Sequence, residues 1–256
     1  MNLFSLAGRR ALIAGASRGI GLAIAELMAE AGAETLLAAR SQEALEASAG
    51  RLRSRGLSAS VLPLDLTSES SIAAAAEAAG ELDILVNVAG TNLRKPFCDY
   101  SAEEYAWLMQ TNLHGIFQLT QMVGRGMVRR GRGGKIITIA SLAAAFGLPY
   151  LTVYAMTKSG LAGLTRALAA EWGRYQIQVN AICPGFILTD LNREMWQREE
   201  MRRWLATVEA NPQLGTPADV APLAVFLAGA GANYITGQLI FVDGGYSTTA
   251  VWPFEP

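Results

Sequence analysis

Tyr154 and Lys158 stand four residues apart in the stretch "VYAMTK", inside a segment that otherwise reads as a small, apolar helix. On a helix, positions i and i+4 share a face, so the lysine ammonium can lie beside the phenol and favour its phenolate. A phenol titrates near 10 in water, and each unit of depression needs about 1.4 kcal/mol, so proton transfer at neutral pH asks for a few kcal/mol of favourable electrostatics. The alternative use of such a tyrosine is packing, and the choice depends on what the rest of the chain brings to it.

A second stretch with chemistry in its spacing is "ALIAGASRGIGLAIAEL", which reads strand, turn, helix and places Gly15, Gly19 and Gly21 in a G-x-x-x-G-x-G pattern. Glycines there remove Cβ atoms where a pyrophosphate must approach backbone and a helix N-terminus, with Ser17, Arg18 and Ile20 filling the turn. The following strand ends Ala38, Ala39, Arg40. A unit that binds NAD(H) often carries an acid near Ala39 for the ribose 2'-hydroxyl. Arg18 and Arg40 offer forked, charge-assisted bonds to a 2'-phosphate instead, so NADP(H) is preferred and NAD(H) is the second choice.

The elements that must position these groups alternate along the chain. "RALIAG", "ETLLAAR", "SVLPLD", "DILVNVAG", "KIITIAS", "QVNAICPG" and "QLIFVDGG" are strand-like apolar runs separated by helical patterns. Near-continuous apolar strands suit a sheet buried on both faces, so the expectation is α/β: a doubly wound, Rossmann-type three-layer sandwich with a seven-stranded parallel sheet. Ser101 with Glu104, and Thr216 with Pro217 and Asp219, mark helix starts. No repeat or linker divides the 256 residues, and one domain over 1–256 is expected.

Composition excludes several classes. A formal charge of -1, with one basic cluster ("MVRRGRGGK", Met127 to Lys135) that reads as a helix C-terminus, leaves no footprint for nucleic acid or anionic membrane. The lone His114 and the distant Cys98 and Cys183 lack metal-ligand spacing, so no metal is expected. No apolar run approaches the ~18 residues of a membrane span, and the opening residues do not read as a secretory signal, so a cytoplasmic location is expected.

Four stretches, taken together with the two above, resemble the short-chain dehydrogenase/reductase family over nearly the whole chain. These are "NVAG" (Asn87 to Gly90), "TNLHG" around Asn112, "IAS" ending at Ser141, and "CPG" from Cys183, in the family's order and approximate spacing. The resemblance implies hydride transfer between a nicotinamide and a secondary alcohol or ketone. Tyr154 would act as general acid/base, Ser141 would bond the substrate oxygen, Lys158 would support the phenol and hold the ribose, and Asn112 would belong to a proton relay. It further implies cofactor contacts at Asp65, Leu66, Asn87, Gly90, Pro184, Gly185, Ile187 and Thr189. Ala14, Val88 and the Met156-Thr157 pair depart from the family's usual residues, and the first two lose side-chain hydrogen bonds that brace the central strands.

The substrate side is less determined. Residues of about 186–212 lie where members of this family carry a mobile loop, and Met195, Trp196, Met201 and Trp204 would close an apolar lid or pack against its helices. "GTNLRKPF" resembles the loop of gluconate 5-dehydrogenase-like and other sugar-acid or polyol members, where Arg94 or Lys95 would hold a carboxylate. Reduction of a 3-oxoacyl thioester is the rival substrate reading, and a non-catalytic NADP-binding scaffold is the rival of a different class. Small residues after Tyr154 (Gly160, Ala162, Gly163, Ala167, Ala169, Ala170), together with Trp252 and Phe254, point with the resemblance to a homotetramer.

Overall fold

The computed structural model describes residues 3–190 and 192–249; Trp252 and Phe254 lie outside them. All seven apolar runs become strands: β1 (Arg10–Ala14), β2 (Glu34–Ala39), β3 (Ala59–Pro63), β4 (Ile84–Asn87), β5 (Gly134–Ile139), β6 (Ile177–Pro184) and β7 (Leu239–Val242). They pair in parallel throughout, in the order β3-β2-β1-β4-β5-β6-β7. The chain winds outward from β1 to β3, returns to the centre and winds the other way from β4 to β7. The reversal leaves Ala14 and Asn87 as neighbours at the C-terminal edge, where a sheet of this kind opens a crevice for ligands.

Nine α-helices are described: α1 (Gly19–Glu30), α2 (Gln42–Ser54), α3 (Glu69–Ala79), α4 (Ala102–Met109), α5 (Gly115–Arg130), α6 (Thr152–Trp172), α7 (Arg193–Gln197), α8 (Glu199–Val208) and α9 (Pro217–Ala228). One core layer joins α1, α2 and α9 to the sheet through Ile24, Met28, Leu45, Leu52 and Val220. The other joins α3, α5 and α6 through Ile72, Leu119, Leu161 and Trp172. Each fully buried Leu or Ile contributes about 1.5–3 kcal/mol, so two covered faces explain why the strands show no polar alternation.

The helix starts follow local chemistry. Ser101 and Glu104 form a reciprocal capping box, and the Asp219 carboxylate accepts from both the N–H and the hydroxyl of Thr216, each at 2.7 Å. Arg129 and Arg130 close α5 before Gly131, which takes the left-handed conformation. The sequence pattern does not anticipate what separates α4 from α5. Gln110–His114 form a π-helical turn, which swells the helix by one residue and turns Asn112 inward. Gly115 then lets that turn lie against the start of the β3–α3 connection, where an added Cβ would fall 2.2 Å from the Leu66 carbonyl oxygen.

Candidate active site

The turn between β1 and α1 is built for close approach. A Cβ on Gly15, whose φ is +103°, would lie 2.6 Å from the Ala89 nitrogen, and one on Gly21 would lie 2.1 Å from the Gly15 oxygen. The turn is therefore clamped between the end of β4 and its own helix. Gly19 differs, since the nearest atom to its added Cβ is the Thr189 methyl at 3.7 Å, leaving an opening between the turn and the end of β6. Arg18 enters α1 in extended conformation, with no side-chain cap and no acidic residue in the first helical turn. Uncapped N–H groups at the mouth of a glycine cradle fit a pyrophosphate.

Arg18 and Arg40 are exposed beside this opening. Asp65 lies within the field of Arg40, but its carboxyl is held below its ordinary value chiefly by bonds from the Thr67 N–H, at 2.9 Å, and hydroxyl, at 2.8 Å. It turns the chain into α3, whose cap is Ser68. Leu66 is buried behind it and receives a bond from the Gln110 amide at 3.3 Å.

At the centre of the cleft, beside the departures at Ala14 and Val88, the backbone N–H groups of Val88 and Ala89 both donate to the Ala14 oxygen at 2.8 Å. Asn87 is buried, and its amide nitrogen donates to the Thr120 hydroxyl at 2.9 Å while its Oδ1 is left without a partner. Beyond it, an added Cβ on Gly90 would lie 3.5 Å from both the Asn112 Oδ1 and the Lys158 Nζ. The strand end, the π turn and α6 thus converge at Gly90.

Ser141, Tyr154 and Lys158 meet there. Ser141 leaves β5 in extended conformation, accepts from the Ala143 N–H at 3.1 Å and lies near enough to the Tyr154 phenol to favour its charged form. Lys158, 3 % exposed, donates to the Ile139 oxygen at 2.9 Å and lies 5.5 Å from the centre of the Tyr154 ring. Burial pushes the phenol up from its ordinary value, while the Ser141 bond and the Arg94 charge pull it down. Burial lowers Lys158 to about 8, so its ammonium still carries charge at neutral pH. Cys183 lies beneath, with its thiol pushed up to about 11 by burial, against a hydrogen bond from the Ser141 backbone and the Lys158 charge.

Asn112 is fixed by the loop it faces: its Oδ1 accepts from the Thr91 N–H at 2.9 Å and its Nδ2 donates to the Thr91 oxygen at 2.7 Å. The same Nδ2 reaches the Thr157 hydroxyl at 3.5 Å, which itself donates to the Tyr154 carbonyl at 2.7 Å. Thr91 and Thr157 carried no signal in the sequence beyond their places next to Gly90 and between Tyr154 and Lys158.

The far wall follows β6. Pro184 is buried, Gly185 lies against Asp243, where an added Cβ would meet the Asp243 Cα at 2.6 Å, and Ile187 bridges to Gly215. Phe186 gathers Trp196 (5.4 Å), Trp204 (5.2 Å) and Tyr246 (5.3 Å) edge-on around its ring. Trp196 is buried in this stack with its indole N–H unpartnered. Met195, next to it, accepts from the Arg94 guanidinium at 3.0 Å, which joins α7 to the loop after β4 across the cleft mouth. Among the described residues no group of three or more metal-ligating side chains exists, and no helix is long and apolar enough to cross a membrane.

Comparison with known proteins places the chain in a family. A family model described as Enoyl-(Acyl carrier protein) reductase matches residues 15–247. The chain is 36 % identical to gluconate 5-dehydrogenase of Gluconobacter oxydans over 97 % of its length and 98 % of the relative's. It is 40 % identical to 3-oxoacyl-(acyl-carrier-protein) reductase of Pseudomonas aeruginosa over 94 % and 98 %. The crystal structure of a gluconate 5-dehydrogenase from Burkholderia cenocepacia in complex with NADP and tartrate superposes with a TM-score of 0.93 at 37 % identity, covering 97 % of this chain and 99 % of that one. The chain belongs to the short-chain dehydrogenase/reductase family and is an oxidoreductase of that family.

Proposed function

We propose that this chain interconverts a secondary alcohol and a ketone on a sugar-acid substrate with NADP(H), using Ser141, Tyr154 and Lys158 and with Asn112 ordering the relay behind them. The observation that carries this reading is that Ser141 and the Arg94 charge both act on the Tyr154 phenol and pull it down against burial, so a proton donor and a carboxylate anchor share one cleft. The nicotinamide supplies or accepts the hydride. Ser141 and Tyr154 hold the reacting oxygen; in reduction Tyr154 gives it a proton, and in oxidation takes one. Lys158, charged at neutral pH, favours the phenolate against the burial that raises it.

The uncapped start of α1 and Gly19 receive the pyrophosphate, Arg18 and Arg40 the 2'-phosphate, and Asp65 and Leu66 flank the adenine. Asn87 and Gly90 line the cleft floor, and Pro184, Gly185, Ile187 and Thr189 border the nicotinamide. Residues of about 186–212 act as a substrate lid on one domain spanning 1–256. Tartrate, a dicarboxylate, in the Burkholderia relative supports an acidic substrate. The likeness to the Pseudomonas reductase supports the second reading, a 3-oxoacyl thioester.

The assembly we propose is a homotetramer working in the cytoplasm. Gly163, Ala167 and Ala170 are exposed on α6, and a cavity of about 480 Å³ opens on the outer side of α5 and α6, lined by Phe117, Leu164, Leu168 and Tyr175. It holds none of the proposed catalytic residues and suits helices from another copy. Both cysteines are free, in keeping with a reducing compartment.

Turnover of sugar acids, neutral polyols and a 3-oxoacyl thioester with NADPH or NADP tests the reading. Tyr154→Phe is expected to lower kcat by about 10³-fold while NADPH affinity stays unchanged. Arg94→Ala is expected to raise KM at least about 10-fold for an acid and to leave the KM of a neutral polyol unchanged. Parent-like turnover by Tyr154→Phe would sink the mechanism, and a thioester used better than every acid would move the substrate to the second reading.

A further inference from the structure

At the edge of the sheet opposite the cleft, a polar cavity of about 400 Å³ lies where β1, β4, β5 and β6 begin. Arg9, Arg132, Lys135, Gln178 and Asn233 contribute donors to its lining, and Asp83 is the acidic residue there. That carboxylate is already saturated: it accepts from the Arg10 N–H at 3.0 Å and pairs with Arg130 at 3.2 Å and Arg9 at 3.6 Å. Arg132 pairs outside with Glu81 at 2.6 Å. Lys135, by contrast, donates to a neutral acceptor, the Asn233 Oδ1, at 2.8 Å.

The ends of α5 and α9 border the cavity, and cations near helix C-termini offset the exposed carbonyls. That accounts for Arg130, whose side chain is 7 % exposed and donates to the Gly133 oxygen at 3.1 Å. It does not account for Lys135 and Arg9. Burial and the charge of Arg9 push Lys135 down to about 8, so these two cations oppose each other across the space. Repelling cations, the Asn233 amide beside them and a carboxylate already paired with arginine are the electrostatic complement of an anion.

We infer that this cavity is a second anion site, remote from the cofactor cleft, in which Arg9, Lys135 and Arg132 hold a small multivalent oxyanion, either a phosphate or a di- or tricarboxylate. The anion would neutralise the Lys135–Arg9 repulsion and tie together the first residues of the central strands.

The test uses the protein saturated with NADPH, so that phosphate sites in the cleft are filled. Lys95, Lys135 and Lys158 are the three lysines of the chain, which makes ¹³C-dimethyl-lysine NMR assignable. Inorganic phosphate and citrate are titrated separately against sodium chloride at constant ionic strength. At least one is expected to raise Tm by about 3–6 °C at about 100 times its Kd and to move the Lys135 titration upward from about 8 in a saturable way. The Tm rise should disappear in Lys135→Met and in Arg9→Gln, and the Lys135 shift in Arg9→Gln; the first removes a charge that burial penalises and the second alters an exposed side chain, so both fold. Saturation by phosphate alone, or by citrate alone, names the oxyanion. Shifts that chloride reproduces, that survive in both variants, or that leave the Lys135 resonance unmoved overturn the site.

Discussion

The hydroxyl of Thr157 joins two parts of the site that the sequence shows only as neighbours in a motif. It donates to the Tyr154 carbonyl and receives the Asn112 amide, so α6 and the π turn share one side chain. Thr157→Val keeps the shape and removes both bonds. We expect kcat to fall about 10-fold with NADPH affinity unchanged, and Thr157→Ser to restore it. A valine variant with the parent's kcat would show that Asn112 needs no such tie. The spacing of Tyr154 and Lys158 was legible in the sequence. The direction of the phenol's shift was not: it is set by how deeply α6 is buried, and burial raises it where an exposed lysine neighbour alone would lower it.

At the scale of elements, the seven strands were legible because a sheet covered on both faces writes its strands as unbroken apolar runs. The π turn was not, since one extra residue in a helix leaves the hydrophobic period of "TNLHG" unreadable over so short a stretch. Nor was the burial of Glu209 at the end of α8. That carboxylate is 6 % exposed and its Oε2 is unpartnered. Burial, then the charge of Asp243, raises it to about 7. A carboxylate raised in the fold favours the folded state at low pH and loses that advantage as pH climbs from the unfolded value near 4.5 through about 7. Glu209→Gln is therefore expected to be more stable than the parent above pH 7 by about 1–2 kcal/mol, after allowance for screening, with little difference at pH 4.5. Thermal melts across that range check it, and a difference that does not vary with pH would refute the assignment.

For the whole molecule, the exposed face of α6 carries the proposed assembly. Gly163 has open space where a side chain would go, and an arginine there is a better helix former than glycine, so Gly163→Arg should leave the subunit's fold intact. Light scattering after size-exclusion chromatography is expected to report a smaller assembly than the parent's. An unchanged mass would move the contact to another face.

Phe186 gives the molecule a further property. Its ring is the common partner of Trp196 from α7, Trp204 from α8 and Tyr246 from the C-terminal loop. Lifting the two helices breaks two edge-on contacts together, each worth about 0.5–1.5 kcal/mol. Those contacts alone would leave roughly one molecule in six to one in a hundred and fifty open at any instant. Burial of Trp196 makes the open state of the proposed lid rarer still, and the one ring at its root would tie the two helices so that they lift together.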